Sequence, residues 1–311
     1  MSEARGPGRR TLLGALSLAG GVACFSIQDV VMKAVAGTYP VHEALAIRSM
    51  AAMPLLLVFA HLDMGLRSLL TPRMALMLLR GLVMLTCYTC YYLAIPALPL
   101  ADCVALSFTG PLFIVALAGP FLGERVGLGR WLAVLTGFAG VLIIVRPTGG
   151  AVEPAALLPI MGAATYALGQ LLARRFAGQE PTSVMAFYQN VVFLTGGLAM
   201  GAVLGDGLFA ASAHPSMLFL LQPWSVPAWW DLALMLGMGC FAAAGVWLLT
   251  NAYRIAEANA VAPLEYTGLI WAIGWGYFLW GEVPGWETYV GVAVVLGAGL
   301  YVLRTGRQGQ V

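Results

Sequence analysis

The chain has 311 residues, 60% of them hydrophobic and 10% charged, with a formal net charge of +2. A soluble domain carries about 25% charged residues, so this chain lacks the polar groups to cover a water-facing fold and belongs in a lipid bilayer. Five cysteines scattered through apolar segments exclude a disulfide framework, and no metal, cofactor or nucleic-acid partner is expected.

An apolar run of about 20 residues crosses the hydrocarbon core as a helix. Ten such spans are predicted, at 12–36, 42–61, 73–94, 99–121, 128–146, 155–175, 183–205, 229–251, 259–280 and 287–304. The first, beginning GRRTLLGALSLAGGVAC, has the look of a twin-arginine or lipoprotein signal. However, Gly21 stands where a lipobox wants an aliphatic residue, and the apolar run continues past Cys24 through Val35. It is therefore read as a retained span. Most connections are a few residues carrying Pro, Gly or charge. The exception, between Leu204 and Trp229, holds Gly205-Asp206-Gly207, an apolar patch at 217–221 and a Trp-rich stretch from Pro223 to Trp230. That patch is expected to lie in the membrane interface, where Trp clusters gather.

The stretch 98–146, LPLADCVALSFTGPLFIVALAGPFLGERVGLGRWLAVLTGFAGVLIIVR, falls without a gap on 256–304. Thr109/Thr267, Gly110/Gly268, Gly123/Gly281, Glu124/Glu282, Val134/Val292, Leu142/Leu300 and Arg146/Arg304 share one offset, which marks an internal duplication. A second offset pairs Phe25/Tyr166, Asp29/Gln170, Lys33/Arg174, Pro40/Pro181 and Arg48/Gln189. Spans 1–5 therefore match spans 6–10, as units at 1–148 and 149–311. Five is odd, so the second unit enters the membrane from the opposite face. With the N-terminus in the cytoplasm, the inner connections receive most of the arginines, and the outer ones keep only Lys33 and Arg146. This positive-inside bias puts both termini in the cytoplasm. The expected fold is all-α and integral to the cytoplasmic (inner) membrane, with ten transmembrane helices in two inverted five-helix repeats. Inverted repeats of this kind are a hallmark of secondary transporters, with the solute site near the midplane.

The P-x7-R string from Pro40 to Arg48, Arg80-Gly81 opening span 3, ALPLADCVALSFTGPLF, and Leu122-Gly123-Glu124 before a Gly-rich span resemble the EamA-type transporters of the drug/metabolite transporter superfamily. The resemblance covers nearly the whole chain and is looser in the second half, where Leu269 replaces Pro111 and Trp280 stands in the place of Leu122. It implies ten helices, both termini inside, and carriage of small organic metabolites, often outward and without ATP. It also implies that spans 1–4 and 6–9 surround a central cavity, braced by spans 5 and 10.

Ionisable groups within a span cost about 2.5–3.5 kcal/mol on insertion scales, so each needs a partner or a purpose. Asp29 and Arg48 fall at matched depth below the outer surface and can reach each other; Gln170 and Gln189 mirror them near the inner side. Two readings stand: a clasp between the first two helices of each repeat, or an Arg48 that meets a substrate carboxylate or phosphate with Asp29 holding it or titrating. Glu265, two turns into the cytoplasmic half and at the depth of Arg80, is a candidate for a coupling proton or a substrate amine, or for a static ion pair. Its repeat mate is Ser107, so symmetry does not require an acid there. Tyr88 and Tyr92 share one helical face, as do Trp271 and Trp275. With Tyr266 they can line a cavity for a flat or cationic solute, although such residues also face lipid. Thr109, Thr267 and Asn251 are lesser polar candidates.

Cys87-x-x-Cys90 lacks a second ligand pair and reads as helix packing. Gly197-x-x-x-Gly201-x-x-x-Gly205 fits close helix contact. Glu124 and Glu282 are expected to cap or set the turn into the last helix of each unit. No HExxH, GxSxG or Walker A string is present, which argues against an enzyme. The expected function is alternating-access export of a small, amino-acid-like or aromatic solute. The alternatives are import of a vitamin or nucleotide-like metabolite, and a channel or structural membrane protein.

Overall fold

The computed structural model describes residues 7–122, 127–145, 153–175, 180–208, 210, 214–255 and 262–305. Among them there is no strand. The helices are α1 (Pro7–Val35), α2 (Val41–Met64), α3 (Met74–Ala94), α4 (Leu100–Ser107), α5 (Gly110–Leu122), α6 (Leu128–Val145), α7 (Leu157–Arg175), α8 (Thr182–Leu204), α9 (Pro215–Leu221), α10 (Trp229–Ile255), α11 (Thr267–Trp280) and α12 (Trp286–Thr305). Eight helical segments of the described residues are long and apolar enough to cross a membrane, and they coincide with predicted spans 1–8. Spans 9 and 10 carry α11 and α12, of 14 and 20 residues.

Where the sequence predicts one span at 99–121, the structure has two half-helices, α4 and α5. Pro111 cannot donate a backbone bond and its ring crowds the preceding turn, so the helix breaks around Phe108 and Thr109. The Thr109 hydroxyl donates to the Leu106 carbonyl at 2.7 Å, satisfying an acceptor there. Span 9 breaks at the duplicated position. A 3-10 turn at Ala262–Tyr266 precedes α11, and the Thr267 hydroxyl donates to the Leu264 carbonyl at 2.6 Å. The two entry prolines also match. Pro40 precedes α2 at φ −73°, ψ 152°, and Pro181 precedes α8 at φ −65°, ψ 148°, because the ring fixes φ and holds the chain extended into each helix.

Packing joins α1 to α10, α2 to α8 and α10, α3 to α7 and α8, α4 to α11, α5 to α7, and α6 to α12. Small residues set the closest approaches, as expected where lipid supplies no hydrophobic drive between helices. A Cβ on Gly197 would lie 2.9 Å from the His42 carbonyl oxygen and 3.1 Å from the Ala46 nitrogen, and one on Gly140 would lie 2.9 Å from the Gly291 carbonyl oxygen. Gly201 is occupied differently, its Cβ position facing Trp224.

The two ends of the bundle are unlike. At one end the largest core cluster draws together Met32, Val35 and Tyr39 with Tyr92, Leu93, Leu100, Phe219 and Met238. The apolar patch 217–221 is part of this seal. It forms α9, which buries Phe219 completely while leaving Met217 43% exposed, so the patch is amphipathic and packs inward as well as facing out. The Trp224 and Ser225 nitrogens donate to His42 and Glu43, and the Tyr39 hydroxyl donates to Asp231 at 2.8 Å. At the other end the core divides into small clusters. A cavity of about 280 Å³ opens there between α2, α8 and α10, lined by residues that include Phe59, Asp63, Ser183, Trp247 and Asn251.

The backbone contact at Gly197 carries a prediction. Gly197→Val should destabilise the protein by about 1–3 kcal/mol and lower its thermal midpoint in detergent by several degrees. Gly237→Ala, with nothing within 4 Å of the added carbon, should not lower it.

Candidate functional site

Three helices, α2, α3 and α8, converge on one buried guanidinium. Arg48 lies on α2 with 5% of its surface exposed. Its Nη1 donates to the Tyr92 hydroxyl at 2.9 Å, and its central carbon stands 5.6 Å from the ring centroids of both Tyr88 and Phe193. Tyr88 and Tyr92 share a face of α3 because they are one turn apart, and their rings meet edge to face at 5.8 Å. Tyr88 also meets Phe193 of α8 edge to face at 5.2 Å. An arginine offers five donors, yet the buried Nε of Arg48 has no partner. Aromatic faces attract a cation, but they neither neutralise its charge nor accept in-plane hydrogen bonds.

Asp29 of α1 does not pair directly with Arg48. Its carboxylate accepts a bond from the Tyr91 hydroxyl at 2.9 Å while remaining within electrostatic reach of the guanidinium. Consecutive tyrosines on α3 thus hold the two charges, Tyr91 the acid and Tyr92 the base. The sequence predicts that the two side chains reach each other; each bonds to its own tyrosine of α3 instead.

The mirrored amides sit in a second polar cluster. Gln189 accepts from Arg80 Nη1 at 3.1 Å, so the amide that replaces Arg48 in the repeat is supplied with a cation from α3. Arg80 is 9% exposed and its Nε also lacks a partner. Tyr166 of α7 is within electrostatic reach of Glu265 and Tyr88 and bonds to Gln170, and Arg80 is within electrostatic reach of both Tyr166 and Tyr88. Tyr166 is 38% exposed and Glu265 is exposed as well. Tyr166 and Glu265 are therefore exposed where Arg48 and Arg80 are buried.

Other expected residues lie apart. Tyr266 packs edge to face on Phe108 at 5.1 Å, bridging the two helix breaks and not approaching Arg48. Trp271 stacks with Trp275 at 5.9 Å and is 40% exposed, outside the Arg48 cluster. Thr109 and Thr267 bond their own backbone. Asn251 donates to Ser17 at 3.2 Å and lines the open cavity. Glu124 lies outside the described residues. Glu282 does not turn into α12 as expected; its carboxylate accepts from the Leu100 nitrogen at 3.0 Å, at the start of α4. Sequence reasoning missed Phe193 and Tyr166. The first stands one turn from Gln189 and the second is the repeat mate of Phe25, so spacing and duplication both carried a signal.

Comparisons with known proteins agree with this architecture. Residues 12–146 match the EamA-like transporter family. The chain is 31% identical to a riboflavin transporter of Rhizobium johnstonii over 67% of its own length and 63% of that protein. It is 26% identical to an S-adenosylmethionine uptake transporter of Rickettsia prowazekii over 89% of its length and 88% of that protein. It is 27% identical to a pseudopaline exporter of Pseudomonas aeruginosa over 90% and 92%. A solved crystal structure of 18% identity covers 98% of this chain and 100% of its own at a TM-score of 0.60, a likeness of fold alone. The apolar spans, the broken helices and these relatives lead to one assignment: the chain belongs to the EamA-like transporter family of the drug/metabolite transporter superfamily, as a multi-pass membrane transporter of small metabolites and not an enzyme.

Proposed function

We propose that the chain is a secondary transporter that works by alternating access, with ten spans in two inverted units, 1–148 and 149–311, and both termini in the cytoplasm. The packing supports this reading. Exchanging spans 1–5 with spans 6–10 turns the α1–α10 contact into α7–α3, and the α2–α10 contact into α8–α3, and all four occur. The α2–α8, α4–α11 and α6–α12 contacts map onto themselves. Two related units meeting about a shared axis have this pattern, and the matched breaks near Thr109 and Thr267 fit the discontinuous helices that form midplane solute sites.

The observation that carries the solute class is the buried Arg48, caged by aromatic rings and short of acceptors. Such a group holds a carboxylate or phosphate of the solute while Tyr88, Tyr92 and Phe193 stack on a flat portion. The substrate is then a small amino-acid-like or aromatic anion or zwitterion, with Asp29 placed for its ammonium group, and the direction is outward. Import of a vitamin or nucleotide-like metabolite is the second reading, favoured by the riboflavin and S-adenosylmethionine transporters among the relatives.

Reconstituted in liposomes and offered panels of aromatic and opine-like amino acids, flavins and nucleosides, the protein should show saturable flux and counterflow. A non-saturable flux means a channel. Arg48→Ala should abolish counterflow of the accepted solute, and Tyr92→Phe should raise its KM about tenfold, the value of one hydrogen bond to a charged group. Full activity in Arg48→Ala removes the anchor role. Glu265→Gln should flatten the pH dependence of flux; an unchanged profile rejects Glu265 as the proton carrier. Flux measured against orientation in the vesicles decides between export and import.

A further inference from the structure

Lys33 and Glu282 meet at the sealed end of the bundle. Lys33 lies in the last turn of α1, one turn beyond Asp29, and its side chain is 8% exposed; that of Glu282 is 22% exposed. The two form an ion pair. The Lys33 ammonium also donates to the Leu98 carbonyl at 3.1 Å and stands 5.3 Å from the Trp280 ring centroid. The other Glu282 oxygen accepts from the Leu100 nitrogen at 3.0 Å, the first residue of α4, where a helix N-terminus favours negative charge. One carboxylate from the second half thus holds α1, the α3–α4 turn and α4 of the first half together.

The Gly281-Glu282 dipeptide makes this possible. Gly281 adopts φ +67°, a left-handed conformation that glycine reaches without strain. The Gly281 nitrogen donates to Tyr277 and the Glu282 nitrogen to Gly276, each at 3.0 Å. That turn ends α11 and folds the Glu282 side chain back along its last turn, where its Oε2 faces Gly276. Nearby, the Thr288 hydroxyl of α12 donates to Asp102 of α4 at 2.7 Å.

Cys103 of α4 is fully buried and within electrostatic reach of Lys33, Glu282 and Asp29. Cys103, three residues on from Leu100, therefore reports whether the start of α4 stays packed. Because α4 is a separate half-helix of 8 residues, it can move on the break at Phe108 and Thr109 without unwinding α5. A partly buried ion pair is strong enough to hold one geometry and gains solvation for both charges when it opens.

We propose that Lys33 and Glu282 form the latch of the outer gate, joined when the inner end is open and parted when α4 swings to admit the outer solution. This rests on the alternating-access reading above. The test uses a bulky, membrane-impermeant methanethiosulfonate applied from the outer side of oriented proteoliposomes, with modification of Cys103 read by peptide mass spectrometry in the otherwise native sequence. Cys103 should be protected in the native protein. Glu282→Gln, which keeps an acceptor for Leu100, and Lys33→Met should each speed its modification about tenfold, the result of a modest population shift toward the open state. The charge-reversed double variant, Lys33→Glu with Glu282→Lys, should restore protection relative to either single reversal. Unchanged Cys103 reactivity in folded Glu282→Gln and Lys33→Met, judged by elution and thermal midpoint, overturns the latch. Equal reactivity in the double and single reversals overturns it as well. If Cys103 becomes exposed as expected while no solute shows counterflow, the latch stands and the carrier reading falls.

Discussion

The structure is arranged around the cost of one buried charge. Arg48 sits within a membrane-spanning helix, where a guanidinium costs about 2.5–3.5 kcal/mol on insertion scales. The protein offsets that cost with a tyrosine hydroxyl and two aromatic faces from two other helices, α3 and α8. Keeping those groups in range requires α2, α3 and α8 to pack closely, and the glycines make that possible. Gly81 faces Val192, Gly197 faces the backbone of α2, and Gly239 of α10 faces the Arg48 carbonyl itself. The charge and the close packing thus depend on each other.

The internal duplication gives each half the same scaffold but not the same chemistry. The positions of Asp29 and Arg48 are occupied in the second half by Gln170 and Gln189. The amides do not leave that half neutral, since Arg80 from α3 reaches Gln189 and Tyr166 lies near Glu265. Both clusters carry both signs, but one pairs its charges with tyrosines and the other with an amide, and only the second has an exposed acid, Glu265. A two-fold scaffold with unlike polar groups in its two copies offers a solute different partners in different conformations. That difference is what a ligand needs in order to shift a conformational equilibrium.

The same logic applies at the ends of the bundle. A continuous apolar core, α9 and the bonds to His42, Glu43 and Asp231 close one end, whereas at the other the described residues form small clusters around a cavity. Packed cores are bistable and do not deform continuously, so closing one end and opening the other is a discrete choice. The repeat provides Arg174 and Glu124 as the counterparts of Lys33 and Glu282, both with side chains outside the described residues.

Much of this was legible in the sequence. The positions of the spans follow from the thickness of the hydrocarbon core, and the unit repeat follows from residue pairs at fixed offsets. The choice of Asp29 and Arg48 follows from the penalty on charge in lipid, because all three are local or one-dimensional properties of the chain. Only the tertiary structure decided that Asp29 bonds to Tyr91 and Arg48 to Tyr92, that Gln189 meets Arg80, and that Glu282 caps α4 rather than the helix that follows it. Those contacts join residues far apart in sequence across helices whose rotation about their own axes is set by packing. Hydropathy fixes where a helix enters the bilayer, but only its neighbours determine which way each side chain faces.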